Sequence, residues 1–143
     1  MAGELRIDVV VKSTATAEAL WALLSDVATW NDWGPWDSAE IESPGSPDPG
    51  GVGAVRRFRY LRRVTRETVV AFDPPGRLAY DLVSGLPLRN YHAEVTIVPD
   101  GAGSRLEWHS RFDATFVGRI VRPALARFVR DVAGRLARTA GAS

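Results

Sequence analysis

Apolar and polar positions alternate almost from the start of the chain. Leu5, Ile7, Val9 and Val11 interleave with Arg6, Asp8, Val10 and Lys12, and a period of two marks a half-buried strand. Ser13 to Thr16 interrupts it. Thr16 is placed to cap a helix, and Glu18 falls in the first turn, where a carboxylate suits the helix dipole. Leu20, Leu23, Leu24 and Val27 recur at helical spacing, which predicts a helix ending near Asp26. Trp30, Trp33 and Trp36 follow, with Gly34 and Pro35 among them. That stretch predicts a short helix or turn laid over the core. Pro44, Pro47, Pro49 and the glycines around them predict a loop from Ser43 to Gly53.

From Val55 the pattern becomes strand, turn, strand. Strands are predicted over Val55–Leu61, Arg63–Phe72, Arg77–Val83, Arg89–Val98 and Arg105–Ala114. The turn signals between them include Asp73-Pro74-Pro75-Gly76, Ser84-Gly85-Leu86-Pro87 and Pro99-Asp100-Gly101. Short strands at this spacing describe an antiparallel meander. Phe116 to Ala140 returns to helical period, with Val117, Val121, Leu125, Phe128, Val132 and Leu136 on one face. Pro123 should kink or restart that helix. Only this last helix is long enough to cover the concave face of a curved sheet. The space left between the two is where a ligand would sit.

Composition adds exclusions. The 143 residues fit one domain, taken as 1–143, with one core. Without cysteine, disulfides and thiolate chemistry are ruled out. The formal net charge of +1 gives no overall field toward nucleic acid. Apolar runs are far short of a membrane span, so no stable membrane insertion is expected. Met1 to Asp8 lacks a basic-then-apolar leader pattern, which makes a cytoplasmic protein the expectation. All the cations except Lys12 are arginine. Codon bias in a GC-rich genome is the reading favoured over selection for planar, bidentate anion contacts. The arginines of the C-terminal helix read mainly as a solvated face. No phosphate loop, nucleophile elbow or metal-ligand spacing is present, so neither cofactor nor metal is expected.

The ordered set Glu18-Ala19-Leu20-Trp21-Ala22-Leu23-Leu24-Ser25-Asp26, Trp30, Trp33, Gly51-Val52-Gly53, Arg56, Glu67-Thr68-Val69, Asp73-Pro74-Pro75, Leu78, Tyr80, Tyr91 and Arg105-Leu106-Glu107-Trp108 resembles the START-like (SRPBCC) superfamily. Within it, the similarity is to the polyketide cyclase/dehydrase and lipid-transport branch. The resemblance spans nearly the whole chain, and the order of its parts carries it. It implies an α+β helix-grip fold, a curved antiparallel sheet around a long C-terminal helix, with a deep cavity beneath that helix. It does not imply one chemistry, because related families bind or cyclise different apolar molecules.

Alternation then assigns faces. Arg56, Phe58 and Tyr60 point inward in the first meander strand, because the opposite set is half arginine. Glu67 and Val69 share the cavity face of the next strand by resemblance. A buried arginine needs a partner, and Glu67 is the natural one for Arg56, either as a structural pair or as a ligand anchor. Tyr80 and Tyr91 are candidates to turn hydroxyls into the pocket. Trp108 and Phe112 face the core or wall, Trp36 is a candidate rim, and Val121 and Leu125 come from the last helix. His92 and His109 should point outward. The expected function is binding or carriage of a small, largely apolar molecule (lipid-, quinone- or polyketide-like) by a monomer or homodimer. Two alternatives stand beside it. One is an aromatase/cyclase or dehydratase acting on a polyketide-like chain. The other is a protein-interaction module of the chaperone co-factor kind.

Overall fold

Seven strands pair antiparallel into one sheet in the computed structural model, which describes residues 3–142. Met1, Ala2 and Ser143 lie outside the described residues, and with them the Met1 end of the leader reading. The strands are β1 (Glu4–Ser13), β2 (Ser38–Ser43), β3 (Val55–Tyr60), β4 (Arg63–Asp73), β5 (Arg77–Ser84), β6 (His92–Asp100) and β7 (Gly103–Asp113). Their order across the sheet is β1-β7-β6-β5-β4-β3-β2. From β1 at one edge the chain runs through α1 (Ala17–Ser25), a 3-10 turn at Val27–Thr29 and α2 (Trp30–Trp33) before entering β2 at the other edge. The long helix α3 (Phe116–Gly141) closes the fold. This is the helix-grip arrangement that the hydrophobic pattern and the resemblance imply.

Local chemistry sets the element boundaries. The Thr16 hydroxyl caps α1 by accepting from Ala19 N at 3.2 Å, and the Thr115 hydroxyl caps α3 by accepting from Gly118 N at 2.9 Å. Register shifts in β4 at Arg66/Glu67 and Val69/Ala71, and in β2 at Ile41/Ser43, bend the sheet around α3. Gly85 holds φ at +107°, and a Cβ there would meet Val64 O at 2.2 Å, so the β5–β6 loop can approach the β3–β4 turn only with glycine at this point.

Three readings of the sequence change. Ser38–Ser43, to which the pattern assigns no element, is the edge strand β2. The last helix is one continuous element through Pro123, so it does not restart there. Its packing face is also displaced. Val129, Val132, Ala133, Leu136 and Ala140 are buried, whereas Val117 is 43% exposed. The C-terminal half of α3 therefore packs on the core, tied by a Ser13 hydroxyl that donates to Ala137 O at 2.7 Å. The N-terminal half reaches past the packed region.

Candidate functional site

Between the N-terminal half of α3 and the concave face of the sheet lies an open cavity of about 310 Å³. Its walls come from β3–β5, β7, the three-tryptophan segment, the β5–β6 loop and α3. Of the residues singled out in the sequence, Trp36, Phe58, Tyr60, Glu67, Tyr80, Tyr91, Trp108, Val121 and Leu125 line it. Trp30, Arg63, Thr65, Leu82, Leu86, Ala124, Phe128, Val129 and Val132 line it too. Periodicity could have found several of these. Thr65 and Leu82 sit two residues from Glu67 and Tyr80 on the same strand faces, and Phe128 and Val132 continue the helical stripe.

Three expected lining residues fall outside the cavity. Arg56 is 2% exposed and is sealed behind aromatic rings. Its guanidinium carbon lies 4.7 Å from the Trp30 ring, 4.8 Å from Tyr80 and 5.3 Å from Phe58. Val69 sits one inward pair beyond Arg56 and Glu67, beside Ala54, whose carbonyl accepts from Val69 N at 2.9 Å. Phe112 is covered by the stacked Tyr91 ring at 5.9 Å and by the first turn of α3 at Gly118.

The hairpin between β3 and β4 places the charge pair. A two-residue turn, Leu61-Arg62, makes Arg56 and Glu67 direct partners. Arg56 Nη2 donates to Glu67 Oε1 at 2.7 Å. Arg56 Nε has no hydrogen-bond partner among the described residues, and π faces crowd the cation instead. Glu67 faces the cavity, Arg56 supports it from behind, and burial raises the Glu67 carboxyl above its ordinary value despite the adjacent guanidinium.

Two phenols share this floor. Trp108 Nε1 donates to Tyr80 Oη at 3.3 Å, and the Tyr80 hydroxyl in turn interacts with that of Tyr91. Tyr91 Oη and Ser110 Oγ are hydrogen-bonded at 3.1 Å. Burial pushes the Tyr80 phenol well above its ordinary value and Tyr91 up to about 12. Both stay neutral donors at physiological pH. The stability that Tyr91 contributes as a neutral group is complete below the ordinary phenol value of 10.0 and is lost as pH rises through about 12. The ultraviolet phenolate titration of a Tyr91→Phe variant should therefore overlay that of the parent until the pH nears about 12. Earlier divergence would mean that Tyr91 is open to bulk water.

His92 and His109 lie on the convex face, where their Nδ1 atoms meet Asp81 Oδ1 at 2.6 Å and Asp8 Oδ1 at 2.7 Å. Among the described residues, no group of three or more His, Cys, Asp or Glu side chains is arranged to hold a metal ion. No described helix is long and apolar enough to cross a membrane.

A curved antiparallel sheet gripping a long helix, with a mostly apolar cavity between them, defines a START-like protein. The chain belongs to the polyketide cyclase/dehydrase and lipid-transport family, whose model matches residues 4–141. No curated protein matches it in sequence. Among solved structures it is similar to a norcoclaurine synthase point mutant from Thalictrum flavum in complex with a transition-state analogue. Identity there is 17%, with 98% of this chain and 96% of the other covered and a TM-score of 0.77. It is also similar to XoxI from Bacillus cereus, at 16% identity, 94% coverage of each chain and a TM-score of 0.78. A third is a protein from Nitrosospira multiformis, at 17% identity, 94% coverage of each and a TM-score of 0.74. At these identities the likeness is one of fold.

Proposed function

We propose that this protein binds or carries a small, largely apolar molecule in the cavity under α3, oriented by Glu67, Tyr80 and Tyr91. The observation that carries the reading is the distribution of polarity. Rings and aliphatic side chains make up most of the wall, while one carboxyl and two neutral phenols converge on the floor. Such a floor selects ligands with a hydroxyl or carbonyl at one end. A cavity of about 310 Å³ suits one fused-ring or short-chain molecule.

The test uses a fluorescent apolar dye and native mass spectrometry of freshly purified protein. Leu125→Trp fills the cavity from the helix side and should weaken dye binding at least about tenfold, with an overpacking cost of about 1–3 kcal/mol in stability. Unchanged binding in the folded variant would put the ligand elsewhere. Glu67→Gln should weaken a hydroxylated ligand by about 1.5–3 kcal/mol more than its deoxy analogue.

The same convergence of titratable groups supports a second reading, a cyclase, aromatase or dehydratase acting on a polyketide-like chain. Glu67 would take a proton beside a carbonyl, and Tyr80 or Tyr91 would donate to the resulting enolate oxygen. The cavity would fold the chain for reaction. Product formation from a poly-β-ketone probe, lost in Glu67→Gln while probe binding persists, would establish this chemistry.

A further inference from the structure

The face of α3 that lines the cavity does not stop at the cavity. Ile120 precedes Ala124 by four residues, and Phe116 precedes Ile120 by four, so one helical ridge runs from the wall out past the mouth. Phe116 is 79% exposed and Ile120 63%. Across the mouth, Leu61 at the tip of the β3–β4 turn is 69% exposed. It holds φ at 55°, unusual for a residue with a Cβ. Exposed apolar side chains on two separate elements around one opening form a patch of the kind that marks a contact surface.

On the hairpin tip, the β5–β6 loop and α3 the charges around the patch are all of one sign, while the three-tryptophan wall brings the exposed Asp32 and Asp37. Residues 57–66, 82–91 and 114–130 contain ten arginines and no Asp or Glu, in a chain whose net charge is +1, although Arg57, Arg59 and Arg66 alternate with the inward Phe58, Tyr60 and Thr65 and so lie on the convex face. Arg57 and Arg66 are paired with Glu40 and Glu42 of β2. The other eight are exposed and make no ion pair among the described residues, and three of them, Arg63, Arg119 and Arg122, donate to the Gly85, Ala114 and Arg6 carbonyls. The flanking carboxylates are engaged. Glu67 is held by Arg56, and Asp113 accepts from Asn90 Nδ2 at 2.9 Å. On the convex face, by contrast, acids and bases alternate and pair.

We propose that the cavity mouth docks reversibly on an anionic lipid surface. Phe116, Ile120 and Leu61 would enter the acyl boundary, and the surrounding arginines would lie at the headgroups. An exposed apolar helical stripe flanked by cations, with no described helix long and apolar enough to cross a membrane, is the chemistry of interfacial attachment rather than insertion. Docked this way, the opening faces the hydrocarbon, and an apolar ligand passes between the two without crossing water.

Sedimentation with vesicles of phosphatidylcholine alone, or with an equal share of phosphatidylglycerol, tests the proposal. The parent should bind the anionic vesicles and not the neutral ones, and raised salt should release it. Arg62→Glu with Arg119→Glu should weaken binding at least about tenfold, since each cation near such a surface contributes about a fivefold factor. Phe116→Ser with Ile120→Ser should also weaken binding, whereas Val10→Ser on the convex face should not. All these side chains are exposed, and unfolding midpoints check that the variants remain folded. Equal binding to both vesicles, no binding, or variants that bind like the parent would overturn the proposal. So would a parent that ignores vesicles but captures an acidic protein through the same residues. Vesicle binding is read without a cavity ligand, so its failure and a failure of the carrier reading are separate results.

Discussion

Replacing Glu67 with Leu should destabilise the protein by about 3–5 kcal/mol, and adding Arg56→Met should recover much of that loss. Arg56 is almost fully buried, with one charge-assisted hydrogen bond to Glu67 and rings on the rest of its surface. Without Glu67 it becomes a buried cation with neither water nor an anion. Methionine and leucine together remove both desolvated charges from a site already walled with apolar groups. A double-mutant cycle read by denaturant unfolding measures the coupling, and additive losses would show that there is none. The pH dependence has a definite sign. Burial raises the Glu67 carboxyl above 4.5, so the native state binds its proton more tightly than the unfolded chain. This contribution to stability is complete below about 4.5 and is lost as pH rises through the raised native value. Glu67→Gln should flatten that part of the profile.

Trp30→Ala should cost about 3–5 kcal/mol, the range for deleting a large buried aromatic. The Trp30 ring lies 5.4 Å from Trp33, 5.3 Å from Trp36, 5.3 Å from Phe58 and 6.1 Å from Trp108. Its Nε1 donates to Leu24 O at 3.1 Å, which ties the end of α1 to the aromatic cluster. It is also one wall of the cage around Arg56. Truncation removes packing, leaves a buried carbonyl without a donor and opens the seal between Arg56 and the cavity. Trp36→Ala, at a half-buried ring, should cost less than half as much and act mainly on ligand affinity. Equal losses at the two positions, measured by unfolding midpoints, would contradict the central place given to Trp30.

Strand alternation carried the most information about the site. It put Arg56 and Phe58 on one face, and the family resemblance put Glu67 on the facing side of the next strand as the natural partner for a buried arginine. Alternation could not give the turn length, so it left the register of the pair open. Nor could it tell that rings would close over Arg56, because Trp30 reaches it from a separate helix. β2 escaped notice because Ser38–Ser43 has only Ala39 and Ile41 as apolar residues. What holds this strand is pairing with β3 and cross-strand ion pairs from Glu40 and Glu42, neither of which leaves a hydrophobic period. The C-terminal helix was legible in length and in stripe. Where the stripe stops being covered depends on how far the sheet extends beneath it, and that is a property of the assembled fold.

Pro123 sits near the boundary between the two halves of α3. Its missing N–H leaves the Arg119 carbonyl without the usual helical donor. On the C-terminal side, Val129, Val132, Ala133 and Leu136 are buried in the core, while the first two turns carry the exposed Phe116, Val117 and Ile120. The C-terminal half is therefore buried in the core, while the N-terminal half is held at fewer points, chiefly Gly118 against Phe112 and Arg122, which donates to Arg6 O. The free energy needed to uncover the cavity is that of loosening a short segment with few buried contacts, and the free energy of unfolding resides mainly in the other half. For a ligand held as proposed, exchange and unfolding would then depend on different parts of the same helix.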